Sequence, residues 1–578
     1  MKVISFGILL VINLFLRSVQ CENLKLLILH NNDMHSRFEE TSRTSGTCKD
    51  KSNCYGGFGR VLHVVREARK AAADGTGPPV LFLNAGDTYT GTSWFSVHKW
   101  RIAADFMNLL QPDVASFGNH EFDDRPEGIV PFLKAINFPV VAANLNFSKE
   151  PLYLTTNVTK SHTLVVSGRK IGVIGYVLPQ TATISSPGNV DFGEEVDALR
   201  AESERLNGEG VKIIVALGHS GFDKDKEIAE NVPLVDLVIG GHTNTFLWNG
   251  PQPDWEAVEG PYPTIVTQSS GKKVPVVQAY AYTKYMGRLN VIFDDNGDLV
   301  EYNGQPQLLN STVRQEKQAL VLLEKYRPEV EAINNKIVGT TRVRLDGEIE
   351  NCRVKECNLA NLVADALVEH HAHIQQGRFW TDAPIALFNA GSIRTDIVPK
   401  FPNGSFTMGE IMQAFPYSDQ LHFLSLNGSD LLETLEIGAR YNGDTNRGEL
   451  IHASGIRYTF DMSKPVGSRI VSARARCGSC DIPKYSTIKE DHPYRIITTD
   501  FVVKGGDGHH VIRDKSYDRY AYDYNAVETI AWYTSRHSPI IKEEDERLIA
   551  LNSTSWSSSM KGSATYLALT AIGLTLVR

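Results

Sequence analysis

Runs of lysine and arginine are missing from this chain, and so is any excess of positive charge. The 578 residues carry a formal net charge of −8, and the isoelectric point is near 6.1. A protein that binds nucleic acid needs a basic face for the phosphates. We therefore expect no nucleic-acid partner.

Internal repeats and low-complexity segments are also missing, so the chain is not a repeat array. Its length exceeds what one hydrophobic core supports, and two or more domains are expected. Apolar segments alternate with helix-prone ones over residues 22–310, which indicates a layered α/β domain. A charged, amphipathic stretch over 311–336 is typical of a connecting helix, and residues 337–551 are expected to form a second domain.

Cysteine is scarce, with seven residues in the whole chain. One of them, Cys21, ends an N-terminal segment with the layout of a secretory signal, in which Lys2 precedes an apolar run over 3–16. Removal of residues 1–21 leaves six cysteines in three close pairs. The pairs are Cys48 with Cys54, Cys352 with Cys357, and Cys477 with Cys480. In a secreted chain they predict local disulfides, and a zinc site made by the last four is the alternative.

The C-terminus lacks an apolar run long enough to span a membrane comfortably. Small and polar residues follow Arg547, and an apolar tail closes the chain over 564–577, whereas a spanning helix needs about 20 residues. Residues 552–578 have the layout of a signal for a glycosylphosphatidylinositol (GPI) anchor, and a freely secreted chain is the alternative. We expect an extracellular protein on the plasma membrane. Sequons at Asn146, Asn157, Asn310, Asn403, Asn427 and Asn552 suit an exported glycoprotein.

Five apolar runs in the first domain each end in a short polar cluster. The clusters are Asp33-Met34-His35, Gly86-Asp87, Gly118-Asn119-His120-Glu121-Phe122-Asp123, Gly218-His219 and Gly240-Gly241-His242-Thr243-Asn244. Short aliphatic runs with little alternation are typical of strands buried on both faces. Open α/β sheets place their sites at the carboxyl ends of such strands. One cluster alone could be only a turn, but five together predict a site for two divalent cations.

The ligand-type residues have expected roles in that site. Asp87 is the sole acid of its cluster and would bridge the two cations. The other ligands are divided between the cations: Asp33 and His35 with the first, and Asn119, His219 and His242 with the second. His120 directly follows a ligand, and Asp123 lies three residues further on. We expect this imidazole to face a phosphoryl group as general acid or charge stabiliser, oriented by the carboxylate; a packing role is the alternative.

Several side chains of the second domain suit a nucleotide, although none is specific alone. Arg353 and Arg394 offer guanidinium groups for phosphate. Tyr417 and Phe501 offer flat faces for a base, and Asp507, in a glycine-rich turn, could accept hydrogen bonds from both ribose hydroxyls. A nearby histidine cluster, at His370, His371 and His373, is expected to be a solvated helix end and not a metal site.

The motif order Asp-x-His, Gly-Asp, Gly-Asn-His-Glu-x-Asp, Gly-His and Gly-His-x-Asn resembles the calcineurin-like metallophosphoesterases. Together with the second half, the chain from Leu24 to about Leu551 is similar to the 5'-nucleotidase family, which includes animal ecto-5'-nucleotidases, salivary apyrases and bacterial periplasmic nucleotidases. The resemblance implies an α/β fold with an N-terminal four-layer αββα metallophosphoesterase domain. It also implies an α+β C-terminal nucleotide-binding domain, joined to the first domain by a helix.

The resemblance assigns the same metal ligands and the same dyad, His120 with Asp123, and it names zinc as the usual metal. It adds substrate contacts: Asn244 near the metals or the phosphate, Arg353, Asn389 and Arg394 at the phosphate, Tyr417 and Phe501 at the base, and Asp507 at the ribose. It also implies a homodimer formed through the second domain.

The chain departs from the pattern of the vertebrate ecto-enzymes. Residues Asn389-Ala390-Gly391-Ser392 replace a run of glycines, and Tyr417 stands where phenylalanine is usual, which leaves base preference open. An additional disulfide of those enzymes has no cysteines here.

The implied activity is that of a metal-dependent 5'-nucleotidase. It would hydrolyse nucleoside monophosphates, AMP first, to nucleoside and phosphate with a water activated by two metal ions. One rival is a secreted salivary apyrase that cuts ATP and ADP, and the anchor signal favours the nucleotidase over it. A rival of another class is a non-catalytic surface protein that captures nucleotides or a host partner. His120 and Asp123 argue against that rival, because a binder has no need of them.

Overall fold

A computed structural model describes residues 23–551, apart from residues 44, 46, 47, 49, 255, 376, 401, 418 and 441–446. The predicted secretory signal and anchor signal lie outside the described residues. The chain divides into two compact units. The first holds the chain up to Val338 together with Ser405–Ser418, and the second holds Gly339–Gly404 and the chain from Asp419 onward. Over the described residues, no helix is long and apolar enough to cross a bilayer.

The elements up to residue 334 make up most of the first unit. The strands are β1 (Leu24–Asn31), β2 (Val80–Asn84), β3 (Val114–Ser116), β4 (Val140–Val141), β5 (Leu145–Asn146), β6 (Ser161–Val166), β7 (Arg169–Val177), β8 (Asp191–Phe192), β9 (Ile213–His219), β10 (Leu237–Ile239), β11 (Thr264–Thr267), β12 (Lys273–Val277), β13 (Tyr285–Phe293), β14 (Leu299–Gly304) and β15 (Gln307–Leu308). The helices are α1 (Phe58–Ala73), α2 (Ser93–His98), α3 (Trp100–Leu110), α4 (Arg125–Ala135), α5 (Thr181–Ile184), α6 (Glu195–Gly208), α7 (Phe222–Asn231) and α8 (Lys317–Asn334).

The remaining elements follow residue 336. The strands are β16 (Ile337–Thr340), β17 (Ile385–Asn389), β18 (Ser405–Thr407), β19 (Gln420–Asn427), β20 (Ile451–Ser454), β21 (Ile456–Asp461), β22 (Ile470–Arg476), β23 (Tyr485–Thr487), β24 (Pro493–Thr499), β25 (Tyr517–Asn525) and β26 (Leu548–Leu551). The helices are α9 (Ile349–Cys352), α10 (Asn358–Ile374), α11 (Met408–Ala414), α12 (Gly428–Gly438), α13 (Asp500–Val503), α14 (His510–Lys515) and α15 (Ala526–His537).

Two sheets form the middle of the first unit. One has the strand order β14-β13-β1-β2-β3-β4, with β15 beside β13, and the other has the order β11-β12-β10-β9-β7-β6. Strands β1 to β4 are parallel, and so are β7, β9, β10 and β12. The parallel strands of each sheet therefore have their carboxyl ends at one edge, where a layered α/β domain places its site.

Apolar side chains fill the space between these two sheets. Leu26 and Ile28 of β1 share a buried cluster with Val215 and Leu217 of β9. The outer face of the first sheet packs on α1, α3 and α4, and the outer face of the second packs on α6 and α7. Both faces of the central strands are covered, which is why they read as continuous apolar runs. The four-layer αββα arrangement is confirmed.

The predicted connecting helix is present as α8. Its side chains Ala319, Leu323 and Val330 are buried in the same cluster as the apolar faces of α1 and α3. The helix therefore forms part of the outer layer of the first unit, because its apolar stripe is covered there.

The second unit is built on a five-stranded sheet, β20-β17-β24-β19-β25, and a four-stranded sheet, β23-β22-β21-β26. Strands β17 and β24 are parallel, whereas β19 is antiparallel to both of its neighbours. Leu387 of β17, Leu424 of β19, Leu435 of α12 and Tyr458 of β21 share one buried core. This mixed sheet with helices confirms the predicted α+β domain.

All three predicted disulfides are present. They join Cys48 to Cys54, Cys352 to Cys357, and Cys477 to Cys480. The alternative zinc site is excluded, because its four cysteines are bound to one another in pairs.

The expected solvation of the histidine cluster at the end of α10 is wrong for His371. Its side chain is buried, with Nδ1 lying 2.7 Å from the Tyr522 hydroxyl and Nε2 lying 2.6 Å from Asp382 Oδ1. His370 lies edge-on to the ring of Tyr524. This end of α10 is packed against β25, a strand more than 140 residues away in sequence, which the local pattern does not reveal.

Candidate active site

The polar clusters of the first unit follow the carboxyl ends of its parallel strands. Asp33 and His35 come after β1, Asp87 after β2, and Asn119 and His120 after β3. His219 ends β9, and His242 follows β10 in the second sheet. The two sheets therefore each contribute ligand-type side chains at the carboxyl ends of their strands.

Backbone conformation in these loops is unusual. Asp33, His35, Asp87, His242 and Asn244 all have positive φ angles, of 51°, 44°, 54°, 80° and 54°. Residues with a Cβ seldom adopt this region, and strain of order 1–3 kcal/mol each is tolerated mainly at functional sites. The conformation of these loops therefore orients the side chains of the site at a cost in local stability.

Two glycines let the loops after β2 and β3 approach each other. Gly86 has φ of +81°, and a Cβ there would lie 2.2 Å from the backbone nitrogen of Gly118. A Cβ on Gly118 would lie 2.1 Å from Asp87 Oδ1. Any larger residue at either position would push the Asp87 and Asn119 loops apart.

Asp87 belongs to two separate groups of ligand-type atoms. One group contains His35, Asp87 and His120, and the other contains Asp87, His219 and His242; within each group the atoms lie within 4.8 Å of one another. Asp87 Oδ2 is 3.8 Å from His35 Nε2 and 2.9 Å from His219 Nε2. A shared carboxylate between two imidazole groups is the geometry that a bridging ligand of two cations needs.

Hydrogen bonds on the opposite ring nitrogens orient these histidines. His219 Nδ1 is 2.7 Å from the carbonyl of Ala85, and His35 Nδ1 is 3.1 Å from the carbonyl of Thr90. Each Nδ1 donates to its carbonyl, so Nε2 is the ring nitrogen that faces Asp87 and would bind a cation. His242 Nδ1 lies 3.0 Å from Asn119 Oδ1, which brings the two predicted ligands of the second cation together.

The buried carboxylates of this cluster are ionised only at a cost, which positive charge nearby reduces. Burial raises the pKa of Asp33 to about 6, even with His219 nearby. Burial alone would lower the pKa of His219, but the carboxylates of Asp87 and Asp33 raise it to about 10. Burial also opposes ionisation of Asp87, yet His219, His120 and His35 hold its pKa well below the usual range. The two buried carboxylates thus depend on cationic neighbours, in addition to the hydrogen bonds that they accept from Asn32 and from the backbone N–H groups of His242 and His120.

Unsatisfied oxygens point to the same conclusion. Asp33 Oδ1 and Asn244 Oδ1 are buried and accept no hydrogen bond from any described residue. A buried oxygen without a donor costs about 1–3 kcal/mol, which a bound cation would offset. The donor set of imidazole nitrogens and carboxylate oxygens suits zinc and other divalent transition metals. The residues present therefore fit divalent metal ions.

His120 and Asp123 form the predicted pair. His120 Nδ1 lies 2.6 Å from Asp123 Oδ2, and both belong to a single turn after β3. Asp123 is itself held, because Thr90 Oγ1 donates to Oδ2 at 2.8 Å and Ser185 Oγ donates to Oδ1 at 2.7 Å. The sequence did not point to Thr90 or Ser185, since neither lies in a motif or carries a charge.

Glu121 is a second residue whose role the sequence did not reveal. Its carboxylate accepts four backbone N–H bonds: from Asp87 at 2.9 Å, Thr88 at 2.7 Å, Tyr89 at 3.2 Å and Gly118 at 2.6 Å. One buried side chain thus ties the loop that carries Asp87 to the loop that carries Asn119 and His120. The indication present in the sequence was the position of Glu121 inside the Gly118–Asp123 cluster.

Tyr417 lies in the first unit, within the segment Ser405–Ser418. Its ring is stacked on that of His120, with the centroids 6.0 Å apart and the planes at 21°. Phe501, the other predicted base contact, belongs to the second unit. The structure therefore groups Tyr417 with the dyad, and position along the chain could not have indicated that.

Asn389 and Asp507 are brought together in the second unit. Asn389 Nδ2 donates to Asp507 Oδ2 at 2.7 Å. Gly391 faces the same oxygen, because a Cβ on it would lie 2.6 Å from Asp507 Oδ2. Phe501 packs its ring against Gly506, where a Cβ would lie 2.5 Å from the ring carbons. This supports one site that contains Asn389, Phe501 and Asp507.

The two predicted phosphate-binding arginines lie on neighbouring segments. Arg353 directly follows α9, and Gly347 lies just before that helix. Gly347 is in close contact with Thr395, the residue after Arg394, because a Cβ on Gly347 would lie 2.2 Å from the Thr395 carbonyl oxygen. Their grouping with Asp507 stays a prediction.

A two-sheet α/β unit whose strand ends present these ligands defines the class of calcineurin-like phosphoesterases, and the model of that family matches residues 26–246. The model of the 5'-nucleotidase C-terminal domain matches residues 337–514.

Whole-chain comparisons agree with these matches. The chain is 41% identical to Protein 5NUC of Lutzomyia longipalpis, over 91% of this chain and 93% of the relative. It is 38% identical to the 5'-nucleotidase of Homo sapiens, over 87% and 88%, and 38% identical to the apyrase of Tabanus yao, over 90% and 93%. Its fold matches the crystal structure of a 5'-nucleotidase precursor from Thermus thermophilus with a TM-score of 0.79, at 30% identity, over 92% of this chain and 100% of that one.

The chain belongs to the 5'-nucleotidase family. It is a metal-dependent phosphoric monoester hydrolase that acts on nucleotide phosphates.

Proposed function

We propose that the protein is an extracellular 5'-nucleotidase that hydrolyses nucleoside 5'-monophosphates, AMP first, to nucleoside and phosphate. The observation that carries the proposal is the His120–Asp123 pair, joined at 2.6 Å, beside two ligand groups that share Asp87. A phosphomonoester needs charge stabilisation at the phosphoryl group and a proton donor for the leaving oxygen. The pair can supply both.

His120 acts through its Nε2–H, because Nδ1 is engaged with Asp123. Asp123 keeps the ring oriented and stabilises its protonated form, and Thr90 and Ser185 hold Asp123 in turn. Two divalent ions, which we propose to be Zn²⁺, would be held by Asp33, His35, Asp87, Asn119, His219 and His242. When bound, they would activate the attacking water and neutralise phosphoryl charge.

Nucleoside recognition is assigned to the remaining predicted contacts. Asp507, held by Asn389, presents a carboxylate suited to ribose hydroxyls, and Phe501 offers a ring face for the base. Arg353, Arg394 and Asn244 are assigned to phosphate. Tyr417 would cover the dyad or the base beside it, given its stacking on His120.

An apyrase activity is the second candidate. The similarity to the apyrase of Tabanus yao, at 38% identity, equals the similarity to the 5'-nucleotidase of Homo sapiens. Overall identity therefore does not separate the two activities. The predicted anchor signal over 552–578 favours the nucleotidase.

The test is phosphate release from AMP, ADP and ATP in parallel by the purified secreted chain, before and after chelation and with zinc added back. Release from AMP that stops on chelation and returns with zinc is expected. Release from ADP and ATP alone would identify an apyrase. Absence of zinc-restored release from all three would favour a non-catalytic binding protein.

We also propose a GPI-anchored location at the plasma membrane and a homodimer. Release of the protein from intact cells by a phosphatidylinositol-specific phospholipase tests the anchor. Light scattering of the released protein tests the dimer through its mass.

A further inference from the structure

A cavity of about 660 Å³ lies in the second unit, on residues that no nucleotide role involves. Its walls come from the ends of β22 and β24, from β23, and from the loop closed by the Cys477–Cys480 disulfide. Sites for small organic ligands typically enclose roughly 300–1,000 Å³. The cavity is therefore large enough for a ligand of sugar size.

Arg476 gives the cavity an incompletely neutralised cation. Its Nη2 donates to the carbonyl of Pro384 at 3.0 Å and to Ser454 Oγ at 3.2 Å, and its guanidinium lies 5.0 Å from the centre of the Trp380 ring. All three partners are neutral. Its Nε is buried and has no hydrogen-bond partner among the residues that the structure describes.

The charge of Arg476 is only weakly balanced from elsewhere. Asp365 acts on it at a distance, but that carboxylate is already bound by Arg547 and Lys542. Burial lowers the pKa of Arg476 from its ordinary value. Burying a cation without a paired anion is costly, and an anionic ligand in the cavity would offset that cost.

Arg495 is the second cation of the cavity wall, and an ion pair and an aromatic ring position it. Its Nη1 donates to Asp382 Oδ2 at 2.8 Å, and its guanidinium lies 5.4 Å from the centre of the Phe423 ring. Asp382 is anchored from behind by the buried His371, whose other nitrogen meets the Tyr522 hydroxyl. About half of the Arg495 side chain is exposed (48%), so its other N–H groups can reach a ligand.

Hydroxyl groups complete the lining. Ser425, Ser479, Ser486 and Tyr517 all contribute to the walls. Lys489 adds positive charge and His492 adds an imidazole, and Asp518 and Asp382 are the acids present. With Arg476, Arg495 and Lys489 against these two acids, the lining carries a net positive charge and is rich in donors.

We propose that this cavity binds a small, hydroxyl-bearing molecule that carries a sulfate or phosphate ester. The ester oxygens would be bound by Arg476 and Arg495, whose planar guanidinium groups match tetrahedral oxyanions. The hydroxyls of the ligand would meet the serine and tyrosine side chains. The proposal does not depend on the nucleotidase activity, because neither arginine is a predicted nucleotide contact.

The experiment is isothermal titration calorimetry on the purified secreted chain. The probes are a sulfated disaccharide, a hexose phosphate, inorganic phosphate and an unsubstituted disaccharide. We expect both esters to bind and the unsubstituted sugar not to bind. Comparison of the sulfated disaccharide with the hexose phosphate shows whether the cavity prefers a sulfate or a phosphate ester. Inorganic phosphate shows whether the oxyanion binds without the sugar.

Variants locate the binding. Arg476→Gln and Arg495→Gln should each weaken ester binding at least tenfold, and Arg476→Lys should weaken it less. Arg474→Gln is the matched control, since Arg474 lies on the same strand, is exposed and bonds the Tyr485 carbonyl without lining the cavity. Unchanged melting temperature and unchanged phosphate release from AMP show that each variant is folded.

The proposal is overturned if no ester binds at millimolar concentration, or if the three glutamine variants bind equally well. A change of mass in light scattering for Arg476→Gln or Arg495→Gln, with no ester bound by the parent protein, would identify the surface as an interface between copies of the chain and would also overturn it.

Discussion

At the scale of single residues, the hydrogen bonds around Glu121 predict that this residue affects metal binding, although it is not one of the proposed metal ligands. Four backbone N–H groups point at one carboxylate, and an amide cannot satisfy them all. In Glu121→Gln, the new NH₂ group would face two backbone N–H groups, because each carboxylate oxygen accepts two of the four bonds, and each unsatisfied buried donor costs about 1–3 kcal/mol. We expect metal affinity and kcat/KM to fall by about 10–100-fold, as for other residues that hold metal ligands in place.

The measurement for Glu121→Gln is bound zinc per chain at fixed free zinc, together with activity at saturating zinc. Glu127→Gln is the control, because Glu127 lies nearby on α4 and is exposed. Excess zinc should restore much of the lost activity if the carboxylate only positions the loops. Unchanged zinc affinity in the variant would refute this role.

His120 can be tested apart from the ligands, although its ring lies near His35 and Asp87. We expect His120→Asn to retain its metal content and to lower kcat by about 10²–10⁴-fold, the usual contribution of a general acid or base. Asp123→Asn should lower kcat by less, because Thr90 and Ser185 still hold the side chain. Metal analysis of the purified variants decides the assignment, since loss of zinc from the His120 variant would make it a ligand.

At the scale of secondary-structure elements, the sequence predicted the strand ends well and their surroundings poorly. Asp33, Asp87 and His219 could be located because each ends an apolar run, and parallel strands bring such ends to one edge. Ser185 could not, because it reaches Asp123 across 62 residues with no motif around it. Burial of His371 was missed for the same reason, since its partner Tyr522 lies on a distant strand.

A partly buried ion cluster joins helix α10 to Lys542 and Arg547, near the C-terminal end of the second unit. Asp365 on this helix accepts two hydrogen bonds from Arg547, each of 2.7 Å, and one from Lys542 of 2.6 Å. Burial would raise the pKa of Asp365, but these cations lower it to about 2. The shift from an ordinary value of 3.8 corresponds to about 2.5 kcal/mol.

The sign of this effect sets its pH dependence. Because the folded pKa lies below the unfolded one, the stabilisation is complete above about pH 4 and disappears as pH falls through 2. Asp365→Asn should therefore lower the free energy of unfolding at pH 7 by about 2 kcal/mol or more, and the difference from the parent should shrink toward pH 2. Denaturant melts at pH 7 and below pH 4 measure it. Asp514→Asn, at an exposed pair with Arg513, is the control and should change little. A pH-independent difference would contradict the assignment.

At the scale of the whole molecule, the catalytic ligands connect distant parts of the first unit. They run from Asp33 to His242 in sequence and come from the strand ends of both sheets. Burial of Asp33 and Asp87 without cations is unfavourable, as their dependence on His219 indicates. Bound metal should therefore act as a cross-link between the two sheets at their carboxyl edge, and the second unit, which has its own core, should not depend on it.

Hydrogen exchange measured by mass spectrometry tests this cross-link. Removal of metal by a chelator should increase exchange in the loops after β1, β2, β3, β9 and β10, because ligands that bind only the native state suppress local opening. Amides of β17 and β24 in the second unit are the internal control and should be unaffected. Zinc added back should restore protection, and Asp87→Asn, which lacks the shared carboxylate, should resemble the chelated protein even with zinc present. Equal protection of the five loops with and without metal would mean that the apo loops are already held by Glu121 and the Gly86–Gly118 contact, and that the cations add chemistry without stability.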